Sequence, residues 1–158
     1  MARLIPVVPA ATADGFDTDT SAEQLAAVLR RYREAMRTAL LIDEYRPVPP
    51  AANWLLLALA RRPGSVNDLA RRLGTTKQAV SRLADRLVSL GYCDRRRSDT
   101  NRREVVLRPT AEGLGAATVL HTAIHDLDAR IMSRLDQGQR QAFHHALDLL
   151  ATPASHDS

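Results

Sequence analysis

The feature that most constrains this chain is a pair of short amphipathic segments separated by one glycine and followed by two strand-like pieces. Ser65 has the chemistry of a helix N-cap, with Asp68 three residues on, and Val66, Leu69, Ala70 and Leu73 recur at helical spacing over only two to three turns. Gly74 stops that helix, and Thr75 or Thr76 can cap the next, which the pattern carries to about Leu90 before Gly91, the residue type that most readily closes a helix. Two short helices across a tight glycine turn make a helix-turn-helix pattern. Beyond Gly91, residues 92–96 and 104–108 have strand character, and the polar linker RSDTNR between them predicts a hairpin with a basic tip.

The flanks are helical and more apolar than a small module needs. Over residues 21–45, Leu25, Val28, Leu29, Tyr32, Met36, Ala39 and Leu40 follow the spacing of one long amphipathic helix. Pro47, Pro49 and Pro50 end it and restart a short helix over 51–61, because proline suits a first turn and spoils an interior. Thr110 caps a helix running to about residue 134, and Asp136 caps another with Phe143, Ala146, Leu147 and Leu150 on one face. The expected fold class is mainly α with a little β: a winged helix-turn-helix with a two-stranded hairpin wing, flanked by N- and C-terminal helices that form a dimerisation domain. The expected boundaries are a loose tail over 1–20, a dimerisation helix over 21–48, the winged module over 49–109, dimerisation helices over 110–152 and a second tail over 153–158. Packing the surplus apolar faces against a second copy is the economical solution, and it would present two modules related by a two-fold axis.

Charge points to the partner. Residues 61–108 hold 13 Lys or Arg against 5 Asp or Glu, a surplus of eight, whereas the rest of the chain holds 9 against 13. On a wheel of about 100° per residue, Lys77, Gln78, Ser81, Arg82, Asp85 and Arg86 share one half of the second short helix, and Val80, Leu83, Leu87 and Leu90 share the other. The apolar half docks the helix; the polar half, opened by Thr76, suits the major groove of duplex DNA, where Arg and Lys read guanine and Gln reads adenine. In the hairpin, Arg95, Arg96, Arg97, Arg102 and Arg103 crowd a short loop beside Asn101. Like charges at that density gain nothing from folding unless a polyanion approaches, and an arginine at a wing tip can enter a narrow minor groove. The alternatives are a solvated helix face, and a charged strand edge that prevents aggregation.

The stretch NDLARRLGTTKQAVSRLADRLVSLGYCDRRRSDTNRREVVLRPTAEG, with its glycine-aromatic entry to the first strand and its closing Thr110-x-x-Gly113, resembles the winged-helix core of the multiple antibiotic resistance regulator (MarR) family. The resemblance implies a homodimeric transcriptional regulator, by default a repressor. Its recognition helix would enter the major groove and its wing the minor groove of a pseudo-palindromic operator. Binding in such proteins is often relieved by a small ligand or an oxidant. It further implies a ligand site where the long helices meet the winged module, for which Tyr32, Tyr45 and Trp54 are the candidate lining residues. Two positions depart from the family pattern: Asn101-Arg102-Arg103 stands where the wing usually carries Asp-x-Arg, and Pro109 stands where a leucine usually precedes the closing threonine.

Other functions find less support. The longest apolar run, 54–60, is far short of the roughly 20 residues a bilayer span requires. Pro6 and Pro9 interrupt the stretch a signal peptide would need, so a cytoplasmic protein is expected. No nucleophile stands beside a base, no carboxylates pair and no glycine-rich phosphate loop is present, so neither an enzyme nor a cofactor is expected. His121 and His125, one turn apart with Asp128 beyond, have a spacing that can hold zinc but too few ligands; solvated or core histidines are the commoner outcome. Cys93 is either an oxidant-sensing thiol favoured by nearby arginines or a small core residue. A winged helix that binds protein instead of DNA is the main rival reading.

Overall fold

The computed structural model describes residues 20–97 and 105–152. It divides into two compact units: residues 1–31, whose described part is the N-terminal half of the first helix, and residues 32–158, which hold everything else. The elements in order are α1 (Ser21–Ile42), α2 (Pro50–Arg61), β1 (Gly64–Ser65), α3 (Val66–Arg72), α4 (Lys77–Ser89), β2 (Cys93–Arg97), β3 (Val105–Pro109), α5 (Ala111–Met132) and α6 (Gln137–Ala151).

Local chemistry sets most of these boundaries. Thr20 and Glu23 cap each other at the start of α1: the Thr20 N–H donates to Glu23 Oε2 at 2.7 Å, and the Glu23 N–H to Thr20 Oγ1 at 3.3 Å. Pro50 opens α2, where a missing N–H costs nothing. Ser65, Thr76, Thr110 and Asp136 each accept a hydrogen bond from the N–H three residues on, and Asp136 forms a full capping box with Gln139. Gly74 and Gly91 close α3 and α4 at φ of 60° and 79°, a region that costs residues bearing a Cβ.

The strands form one antiparallel sheet in the order β1-β3-β2, with Arg95 opposite Leu107 and Gly64 also opposite Leu107 on the other edge. The wing expected to be two-stranded is therefore three-stranded at its root. The sequence predicts only a cap at Ser65, because a two-residue strand is too short to show alternation and its pairing depends on the free edge of β3. Ser65 serves both roles, pairing with Val106 and capping α3.

The core lies in the second unit. Met36 and Leu40 of α1, Leu55, Leu56 and Leu59 of α2, Leu69, Val80, Leu87, Tyr92, Leu107 and Leu120 are all essentially inaccessible to solvent. Each such side chain contributes roughly 1.5–3 kcal/mol of transfer free energy; α3 and α4 pack on α2, which packs in turn on α5. The α1–α2 connector is strapped to this core as well: Tyr92 Oη donates to the Arg46 carbonyl at 2.9 Å, and the Tyr45 and Tyr92 rings meet with centroids 6.4 Å apart. By contrast α6 buries no residue, and Phe143, Leu147, Leu149 and Leu150 are exposed.

Candidate nucleic-acid interface

The fold turns α4 so that its two halves face different media. Val80, Ala84, Leu87 and Leu90 are buried in the core, with Leu83 partly so. Thr76, Lys77, Gln78, Arg82, Asp85 and Arg86 are exposed, and Ser81 is half-buried between the two sets. The wheel drawn from the sequence is thus reproduced in space. Among the described residues, Lys77, Arg82 and Arg86 have no carboxylate partner, so α4 presents three uncompensated cations and an amide on one surface. Its N-terminus is held by Thr76 Oγ1, which accepts from the Ala79 N–H at 3.2 Å.

The wing stands beside this face. Alternation along β2 puts Cys93, Arg95 and Arg97 on one side and Asp94 and Arg96 on the other. Cys93 Sγ lies 3.9 Å from the Ala84 carbonyl, so the first set faces α4. Arg95 Nη2 donates to Asp85 Oδ1 on α4 at 2.5 Å, while Arg96 lies 3.4 Å from Asp94 in its own strand. Arg97 has no ion-pair partner among the described residues. The remaining wing candidates, Asn101, Arg102 and Arg103, lie outside the described residues.

The basic surplus is partly spent within the fold. Asp68 sits among three arginines, with Arg62 Nη2 and Arg72 Nη1 both at 3.3 Å and Arg71 at 3.7 Å. Arg72 is half-buried and also donates to the carbonyls of Arg62 and Ala58, at 2.9 and 2.5 Å, which seals the C-terminus of α2 against α3. The spacing of Asp68 to Arg71 and Arg72, three and four residues, was the available signal for this cluster.

A cleft of about 260 Å³ opens between α2 and α5, lined by Trp54, Leu57, Ala58, Arg61, Leu73, His121, Ile124, His125 and Asp128. Of the three residues expected to line a ligand site, Trp54 lines it directly. Tyr32 reaches it through a short hydrogen bond from its hydroxyl to Asp128, and burial, with that bond, pushes the phenol up to about 12. Tyr45 is elsewhere, with its hydroxyl close to Gly115 on α5. Arg61, His121 and His125 line one part of the cleft with a guanidinium and two imidazoles, beside the Asp128 carboxylate. The two imidazoles stack with centroids 6.3 Å apart. Among the described residues no group of three or more His, Cys, Asp or Glu is placed to hold a metal ion.

Cys93 is 1% exposed, and burial pushes its thiol up to about 11, with Arg95 only partly opposing the shift. A protonated, shielded sulfur is a poor target for oxidants, which leaves Cys93 as a core residue. Among the described residues, no helix is long and apolar enough to cross a membrane.

This geometry agrees with known proteins. Residues 47–104 match the family model described as MarR family. The chain is 22% identical over 89 residues to the HTH-type transcriptional regulator BilQ of Clostridium symbiosum, a match covering 56% of this chain and 62%, less than two thirds, of that relative. It is similar in structure to the MarR family protein Rv2887 of Mycobacterium tuberculosis, solved with salicylic acid, at 26% identity and a TM-score of 0.58 over 85% of this chain and 98% of that one. It is also similar in fold to the transcriptional repressor CouR bound to a 23-mer DNA duplex, at 23% identity and a TM-score of 0.67 over 84% of this chain and 93% of that one.

Proposed function

We propose that this chain, whose residues 47–104 match the MarR family model, is a MarR-type, sequence-specific, duplex-DNA-binding regulator of transcription. In this reading it acts as a homodimeric repressor that a small ligand releases. One observation carries the DNA reading: among the described residues α4 exposes Lys77, Arg82 and Arg86 without carboxylate partners, together with Gln78, on the half opposite its buried seam, next to a wing whose first strand, β2, ends in Arg97. A folded domain gains nothing from such a surface alone; a polyanion supplies the missing counter-charge.

In this reading α4 lies in the major groove with Gln78 and Arg82 at base edges and Lys77 and Arg86 nearer phosphates. The wing, with Arg97, Asn101, Arg102 and Arg103, follows the adjacent minor groove. Two such modules around a two-fold axis suit a pseudo-palindrome. The dimer reading is supported by α6, whose apolar residues Phe143, Leu147, Leu149 and Leu150 are exposed in the single chain. The ligand reading is supported by the cleft beside Trp54, whose Arg61, His121 and His125 favour a small aromatic acid, and by the salicylic acid bound to Rv2887.

The test is binding to duplexes selected from a randomised library, measured against scrambled duplexes across a salt series. Contact with six to ten phosphates makes affinity fall by about 10³ to 10⁵ between low and moderate salt. Arg103→Ala is expected to weaken binding by about 1–3 kcal/mol, and Arg82→Ala also to narrow the gap between selected and scrambled duplexes. Unchanged discrimination by Arg82→Ala would show that α4 is not the reading element. Trp54 is the sole tryptophan, so salicylate entering the cleft should quench its fluorescence and release the duplex. Arg61→Ala should abolish both effects.

A further inference from the structure

Asp85 is out of place on the surface just described. It projects from the exposed half of α4 between Arg82 and Arg86, where a carboxylate opposes the approach of phosphate. Nothing about the helix itself calls for it there. Its partner explains it: Asp85 Oδ1 accepts from Arg95 Nη2, joining α4 to β2 across ten residues of sequence. Arg95 is consequently engaged within the protein, although its position in an arginine run suggests a phosphate contact.

We propose that Asp85 is a positioning residue for DNA recognition, which holds Arg95, and through it the wing, at a fixed angle to the recognition helix. The inference rests on the DNA-binding reading above. The root of the wing is already fixed, since the Tyr92 N–H donates to the Leu87 carbonyl at 2.9 Å and Cys93 packs on Ala84. Beyond that root the strand touches α4 again at Arg95. From Cys93 to Arg97 a strand extends about 13 Å at its usual rise per residue, so a tilt of about 10° at the root moves the outer arginine by roughly 2 Å. A shift of that size breaks a hydrogen bond to a groove, because donor and acceptor must lie within a few tenths of an ångström of their optimum. The pair is substantially exposed, with side-chain accessibilities of 38% and 66%, so it adds little to stability. Its effect is on geometry.

The sign of one substitution separates this role from simple electrostatics. Asp85→Ala removes a negative charge from the DNA-facing surface and improves helix propensity. Charge alone therefore calls for tighter binding; loss of the brace calls for weaker binding. We expect Asp85→Ala to bind the selected duplex about tenfold more weakly, with unchanged thermal unfolding of the free protein. The swapped double variant Asp85→Arg with Arg95→Asp is expected to bind about tenfold better than Arg95→Asp alone, since it restores an ion pair between the same two elements. Asp85→Ala binding as tightly as the wild type or tighter, or a swap that rescues nothing, overturns the brace and leaves the DNA reading standing. A wild-type protein that shifts no duplex at low salt overturns both.

Discussion

Replacing Gly113 with alanine is expected to pry the wing root away from α5, whereas the same change at Gly115 is expected to be nearly neutral. The first turn of α5 is built onto the start of the wing. Thr110 Oγ1 accepts from the Gly113 N–H at 3.0 Å and donates to the Gly91 carbonyl at 2.6 Å, while the Thr110 N–H donates to the Tyr92 carbonyl at 3.1 Å. A Cβ on Gly113 would land on that same Tyr92 carbonyl, 2.8 Å from its carbon and 3.1 Å from Tyr92 Cα. All of this is backbone, and it is anchored on both sides: the Tyr92 N–H is bonded to Leu87 and the Tyr92 hydroxyl to Arg46. Carbon atoms rest about 3.5–4.0 Å apart, so helix and strand must separate by roughly 1 Å. Overpacking of a core costs about 1–3 kcal/mol and more where neighbours cannot yield, against about 1 kcal/mol gained from replacing a helical glycine. At the upper end of that range a net loss of about 2 kcal/mol follows, which lowers a urea midpoint by about 1–2 M at the slope usual for small proteins. At Gly115 the obstacle is the Tyr45 hydroxyl, with Cζ at 3.1 Å, the far end of a half-buried side chain that can swing away. Urea unfolding of both variants decides the matter. A Gly113→Ala midpoint matching the wild type, or a Gly115→Ala loss of the same size, would refute the reasoning.

Two further outcomes are expected. The Cys93 thiol titrates near 11 in the folded chain against an ordinary 9.0, so the folded state retains a proton that the unfolded chain gives up. Its contribution to stability is intact below pH 9 and is lost as pH rises through 11; urea midpoints should fall over that window, and less steeply in Cys93→Ala. In α6, Leu147→Asp combined with Leu150→Asp alters side chains that are exposed in the single chain, so each protomer should still fold. Sedimentation should show the proposed dimer dissociating toward monomer, and an unchanged sedimentation coefficient would remove α6 from the proposed interface.

What the sequence disclosed and what it hid divide by distance along the chain. The caps at Ser65, Thr76, Thr110 and Asp136 were legible because an N-cap acts on a backbone N–H three residues away. The two faces of α4 were legible for the same reason: one turn of helix contains the signal. Pairings between remote segments left no comparable trace. β1 joins β3 across some forty positions, and Tyr45 turned from the cleft toward Gly115 because α5, far along the chain, has a gap there. Charge counting also overstated what is free for a ligand: Arg62, Arg71 and Arg72 share Asp68, and Arg95 is held by Asp85. The meeting of Arg61 with His121 and His125 in the cleft left no trace in the sequence either, because they belong to helices sixty residues apart.

The chain's single lysine, Lys77, is exposed on the first turn of α4. Its ε-amine is therefore the only side-chain amine that an acylating reagent can find, and it lies on the surface proposed to meet DNA. Acetylation there would erase one positive charge at the start of α4 without touching any packed residue. A bound duplex would in turn cover that nitrogen, so the speed at which it is acylated becomes a one-residue gauge of occupancy that needs no engineered label.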